Sequence, residues 1–320
     1  MPIIARATTP HPRRRRRLRS MRFLPSVLTL GNLLCGFAAI YFTQRAMFPL
    51  GAGDEIPMSH IRILPRFPSI LSFAAGMVFL GMFFDMLDGL AARVTRSTTD
   101  FGGQLDSLAD MVTCGIAPAA LMIAFMLQHF KGDAAPSPIS ENPFGRLSWA
   151  CAAAYVALAA VRLARYNVEH AQADFDYRTF RGLPSPGAAG LLCMFIILYD
   201  QLPLILSDLA TAELLQELLV YAIPGVSLLA GCLMVSSIRY RRFHSYLQGR
   251  RPFWQLVTVI LLFAAFWAYK TPTLFALMLC YVLSGPTGHF VRILRPGARQ
   301  REAPTPAATR NGEWRIANNE

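Results

Sequence analysis

The chain has 320 residues, 54% hydrophobic and 16% charged, with a formal net charge of +12. A soluble domain carries about 25% charged residues. The shortfall here lies in long apolar runs, which excludes an ordinary soluble protein and points to an all-α, polytopic membrane bundle.

A helix crossing lipid needs about 20 apolar residues, because the bilayer offers its backbone no other partner. Eight such runs are expected, at 24–44, 67–88, 105–128, 147–165, 186–205, 217–237, 253–269 and 273–291. They are preceded by a basic tail, residues 1–22, with Arg13 to Arg17, Arg19 and Arg22. That tail reads as an orientation signal in contact with anionic headgroups, not as a cleaved leader or a nucleic-acid arm. Gly31, Gly36, Gly76, Ala152, Ala153, Gly187 and Gly190 supply the small residues that membrane helices need for close packing. Segment 129–146 and the stretch from 296 onward are rich in Pro, Gly, Ala and polar residues. One membrane domain, 23–295, is therefore expected between the N-tail and a flexible cytoplasmic C-tail, 296–320.

Charge placement tests the eight spans independently. With the N-terminus inside, the inner segments hold 8, 2, 4, 5 and 6 Lys or Arg, which is 25 of the 31, against 6 in the opposite loops. This positive-inside pattern accounts for the basic charge without nucleic acid and puts both termini in the cytoplasm. The six cysteines, Cys35, Cys114, Cys151, Cys193, Cys232 and Cys280, lie in or beside apolar runs and form no C-x-x-C pair, so they read as packing residues.

One group of acids interrupts the apolar pattern. The segment from Phe84 to Asp110 reads FDMLDGLAARVTRSTTDFGGQLDSLAD. Asp85 and Asp88 are three apart at the end of the second expected span, and Asp106 and Asp110 are four apart at the start of the third. Those spacings put each pair on one helical face. The short turn between them makes an antiparallel hairpin, so four carboxylates converge near one membrane surface. Such a group is costly unless hydrated, paired or bound to cations, and oxygen donors suit Mg²⁺, Mn²⁺ or Ca²⁺. Gly89, Ala91, Ala92, Gly102 and Gly103 leave room beside the backbone, and Arg93 can pair with phosphate. Taken alone, these residues fit phosphoryl-type transfer on a lipid substrate or cation transport.

The pattern Asp85-x2-Asp88-Gly89-x2-Ala92-Arg93-x8-Gly102-x3-Asp106-x3-Asp110 resembles the signature of the CDP-alcohol phosphatidyltransferase family at all eight fixed positions. Further segments, Pro25–Ile40, Arg162–Val168, Phe180–Gly190 and Met234–Phe243, are similar to the membrane-bound serine-using branch of that family. Cys114 departs from it, standing where an aromatic residue is frequent, and the resemblance supplies no role for either tail.

The resemblance implies an enzyme that moves a phosphatidyl group from CDP-diacylglycerol to L-serine in the cell (inner) membrane, with its site at the cytoplasmic face. It implies two divalent cations, Mg²⁺ or Mn²⁺. Asp85 and Asp106 would bridge them, Asp88 would complete one site, and Asp110 would complete the other and act as general base. Gly89, Ala92, Arg93, Thr99 and Gly102 would contact the CDP-lipid, and a homodimer is implied as well. Thr29 and Asn32 in the first span are further candidates for the nucleotide. Arg162, Arg165, Asn167 and Arg239 sit at cytoplasmic span ends as candidate partners of the serine carboxylate. Sister enzymes using glycerol 3-phosphate or inositol phosphate share the same donor chemistry.

Overall fold

The computed structural model describes residues 24–47, 69–95, 100–170, 179–206, 208–241 and 270–294. Among the described residues there are seven long helical runs: α1 (Leu24–Met47), α2 (Ile70–Thr95), α3 (Asp100–Asp110) continuing into α4 (Ala117–His129), α5 (Pro143–His170), α6 (Ser185–Ile205), α7 (Leu209–Val235) and α8 (Lys270–Leu294). Six of them are long and apolar enough to cross a membrane: 25–47, 70–92, 101–129, 143–169, 185–205 and 209–235. The protein is therefore a helical membrane protein. The eighth expected span falls within α8. The seventh, 253–269, lies outside the described residues, as do both tails.

Two helices extend well past their expected ends, and the cause is local in each case. Apolar content fades beyond residue 88, but the α2 ladder continues to Thr95, so Asp85 and Asp88 sit inside a helix and not at its tip. The expected sixth span began at 217, whereas α7 begins at Leu209. Asp208 caps it, its carboxylate accepting from the Ala210 and Thr211 amides at 3.3 Å each. The Thr211 hydroxyl also donates to this carboxylate and holds it below the usual carboxylate range.

The one departure from all-helix among the described residues is a short antiparallel ribbon, β1 (Thr179–Arg181) with β2 (Arg239–Arg241). It joins the chain entering α6 to the chain leaving α7. At its edge Gly182, at φ +82°, donates to the Ile238 carbonyl at 2.8 Å, and Leu183 donates to the Leu233 carbonyl at 2.9 Å. The positive φ favours glycine, and a Cβ there would also run into the Met234 carbonyl.

Small residues set the helix spacing. Ala39, Ala74, Ala75 and Val78 are fully buried along α1 and α2, and Leu121, Met122 and Met126 fill the centre from α4. Between α3 and α4 the helix widens into a π-helical stretch, Met111–Ile116, in which the Ala117 amide reaches back to the Val112 carbonyl. This wide turn buries Thr113 and Cys114 against α1 and α5.

Pro118, Pro203, Pro224 and Pro286 inside the described helical runs remove backbone donors, and at Pro118, Pro203 and Pro286 a side chain replaces the missing one. Pro118 cannot donate to Cys114, whose carbonyl accepts from the Tyr155 hydroxyl at 2.9 Å. Pro203 frees the Tyr199 carbonyl, taken by Gln216 Nε2 at 3.0 Å. Pro286 frees the Val282 carbonyl, taken by the Tyr240 hydroxyl at 3.0 Å. Burial, with Tyr281 nearby, pushes the Tyr240 hydroxyl up to about 12, so it stays a neutral donor.

Candidate active site

The two acid pairs converge as their spacing predicts. Ligand oxygens of Asp85, Asp88 and Asp106 all lie within 4.8 Å of one another. The Asp85 and Asp106 carboxyls are within hydrogen-bond reach of each other, a contact that two carboxylates tolerate only with a proton or a cation between them. Asp106 Oδ1 is buried without a hydrogen-bond partner. An all-oxygen set with an orphaned carboxylate oxygen fits a hard divalent cation.

Asp110 stands one turn after Asp106, at the mouth of the π-helical stretch, and is held from α1. Asn32 Nδ2 donates to Asp110 Oδ1 at 3.2 Å, and the Asn32 carbonyl accepts from the Thr113 hydroxyl at 3.0 Å. Asn32 is fully buried, with its own Oδ1 unpartnered. One turn earlier, the Thr29 hydroxyl lies 2.8 Å from Asp88 Oδ2 and 3.0 Å from the Pro25 carbonyl. Both residues expected to meet the nucleotide are thus engaged with the acids themselves.

Two glycines make this approach feasible. A Cβ on Gly81 of α2 would stand 2.6 Å from Thr113 Cγ2 and 2.9 Å from Asn32 Oδ1, and one on Gly36 of α1 would stand 3.0 Å from the Thr113 Cα. Gly103 on α3, by contrast, faces open space, with nothing within 4 Å of a Cβ built there. Gly89 and Ala92 lie on α2 and Gly102 on α3, beside the acids in sequence. Arg93 is on α2, but its side chain lies outside the described residues, as do Thr99 and the Arg239 side chain.

The four candidates for the acceptor separate. Arg162 on α5 is within electrostatic reach of Asp110 and Asp85, donates to the Ser185 hydroxyl at the start of α6, and sits 5.9 Å from the centre of the Tyr166 ring. Arg165 is occupied elsewhere: it pairs with Glu169 at 2.8 Å and donates to the Val235 carbonyl at 3.2 Å, closing the C-terminal end of α7. Asn167 Nδ2 donates to the Ser107 hydroxyl at 2.9 Å and so ties α5 to α3. Arg239 lies on β2, in the ribbon.

Sequence reasoning missed Thr113, Gly81, Ser107 and the partnership of Arg162 with Ser185. Of these, only Thr113 had a readable signal, through the π-helical turn that carries it: a proline eight residues after Asp110, where the helix ladder must lose a donor.

The sequence profile of the CDP-alcohol phosphatidyltransferases matches residues 22–223. The chain is 29% identical over 187 residues to the CDP-diacylglycerol–serine O-phosphatidyltransferase of Bacillus subtilis, covering 58% of this chain and 81% of that protein. It is 28% identical over 219 residues to the Helicobacter pylori (strain 26695) protein of the same name, covering 68% and 72%. It is also 28% identical over 183 residues to that of Methanocaldococcus jannaschii, covering 57% and 71%.

Proposed function

The chain belongs to the CDP-alcohol phosphatidyltransferase family, and on that footing we propose that it transfers the phosphatidyl group of CDP-diacylglycerol to L-serine. The products are phosphatidylserine and CMP. The observation that carries this reading is the convergence of Asp85, Asp88 and Asp106 within 4.8 Å, with Asp110 held beside them by Asn32. The names of the relatives supply the acceptor. The catalytic domain is assigned to 23–295, in the cell's inner membrane, with the acids at the cytoplasmic face where a water-soluble nucleotide and serine can reach them.

Asp85, Asp88, Asp106 and Asp110 would hold two divalent cations, Mg²⁺ or Mn²⁺, which when bound neutralise charge on the pyrophosphate and on the departing CMP. The chain's own residues supply the rest. Asp110, oriented through Oδ1 by Asn32, takes the proton from the serine hydroxyl. The hydroxyl oxygen then forms a bond to the phosphorus bearing diacylglycerol. The bond from that phosphorus to the bridging oxygen breaks, and CMP leaves with that oxygen. Arg162, between the acids and Ser185, is placed to meet the serine carboxylate. The space at Gly103, with Gly89, Ala92 and Gly102 on the same two helices and Arg93 near them in sequence, is assigned to the CDP-lipid.

The test is CMP release by the purified full-length protein in detergent with CDP-diacylglycerol and Mn²⁺ or Mg²⁺. Serine, glycerol 3-phosphate and inositol phosphate are supplied separately. Release that requires serine and stops on chelation is expected. Release only with another alcohol would overturn the acceptor assignment and leave the chemistry intact.

A further inference from the structure

Tyr281 lies on α8, beyond residues 22–223 that the family profile matches, yet it reaches the acceptor side of the site. Its ring rests against the first turn of α6, where a Cβ added to Gly187 would stand 3.0 Å from its Cε1. Gly187 is two residues after Ser185, the partner of Arg162, and Tyr281 is within electrostatic reach of that guanidinium. On its other side the ring meets Tyr240, with centroids 5.9 Å apart. Tyr240 is itself fixed: it is 1% exposed, bonded to the Val282 carbonyl, and packed where Gly285 leaves no side chain.

The Tyr281 ring is therefore clamped between a glycine on α6 and a tyrosine of the ribbon. Packing alone would be served equally well by phenylalanine. Among the described residues the Tyr281 hydroxyl has no hydrogen-bond partner, although the residue is only half-buried and sits near Arg162. A phenol so placed normally meets a polar group.

We propose that Tyr281 is a specificity-determining residue on the acceptor side, its hydroxyl hydrogen-bonding the charged end of the acceptor alcohol next to Arg162. This rests on the acceptor reading given above. It makes α8 part of the site and not merely a helix added to the family core.

The experiment compares wild type, Tyr281→Phe and Gly187→Ala, all full length in detergent, by saturation curves for serine and separately for CDP-diacylglycerol. Thermal midpoints are measured alongside. Tyr281→Phe keeps both ring contacts, so its midpoint should match wild type while the KM for serine rises about tenfold, the loss of one hydrogen bond to a charged group. The donor KM should stay within twofold. Gly187→Ala displaces the ring and should raise the serine KM in the same selective way. A serine KM for Tyr281→Phe within twofold of wild type overturns the proposal. If wild type releases CMP with a different alcohol instead, serine is wrong, and the same tenfold rise is then expected in the KM of that alcohol.

Discussion

Replacing Asn32 with leucine separates two roles that the sequence and the structure assign to it. The substitution keeps the branched outline of a fully buried side chain, with bulkier methyl groups, and removes the Nδ2 donor that lies 3.2 Å from Asp110 Oδ1. A hydrogen bond to a charged group is worth about 1.5–3 kcal/mol, which corresponds to a fall in kcat of about tenfold to about a hundredfold if it serves only to orient Asp110. Stability should fall by about 1–3 kcal/mol, because the methyl groups overpack a site where Asn32 Oδ1 lies 2.9 Å from the place of a Gly81 Cβ, while the hydrogen-bond terms nearly cancel. Deleting the donor costs about 1–3 kcal/mol for the carboxyl left unpaired, but the variant also deletes the buried, unpartnered Asn32 Oδ1, whose removal is favourable on a similar scale. The Thr113 bond to the Asn32 carbonyl survives because it is made to the backbone. The assay is steady-state CMP release with both substrates varied, run beside thermal unfolding and Mn²⁺ binding by electron paramagnetic resonance. A lower kcat with the CDP-diacylglycerol KM within twofold supports the orienting role. A raised donor KM with kcat intact would refute it and return Asn32 to the nucleotide, where the sequence had placed it.

Asp110→Asn keeps the side chain's size and should leave the fold and the donor KM near wild type while removing most turnover. Near-normal CMP release would take Asp110 out of the mechanism. Tyr155→Phe leaves the Cys114 carbonyl unmet and should lower stability by about 1–3 kcal/mol, read as a lower thermal midpoint in the same detergent. Asp208→Ala removes the cap of α7, and because the Asp208 carboxyl is held below its ordinary value its contribution is present above pH of about 4 and lost as pH falls through the lowered value. The difference in thermal midpoint between this variant and wild type should therefore be visible at neutral pH and vanish in acid; a gap that persists in acid would show that the cap does not act through its charge.

The acids were legible because their chemistry is conspicuous: four carboxylates at spacings of three and four have no structural reason to sit in an apolar hairpin. The long helices were legible for the same reason, since lipid forces long apolar runs into one backbone form. Less visible were features that depend on which helices touch. Thr29 and Asn32 read as polar residues pointing toward a ligand, and only the placement of α1 against α2 and the π-helical turn shows them meeting Asp88 and Asp110. Arg162 and Arg165, three residues apart, looked equivalent in sequence. One faces the acids and the other closes the end of α7, a difference set by the chain returning through Ser185 and Val235. The early start of α7 escaped a hydropathy reading because its first turns carry Glu213, Gln216 and Glu217, whereas Asp208 marks the true beginning by capping.

The side chains that stand in for missing proline donors also bear on how the protein is built. Tyr155 of α5 serves the π-helical stretch that leads into α4, and Gln216 of α7 serves α6, so in both cases the rescuing group comes from the next long helix in the chain. A helix entering lipid by itself would carry a bare carbonyl, a penalty of several kcal/mol with no water to relieve it. For these two carbonyls, a hairpin that enters lipid as a pair of helices carries the donor in with the acceptor. In α8 the corresponding donor, Tyr240, precedes its helix in the chain, so the last of the described helices finds its partner already made.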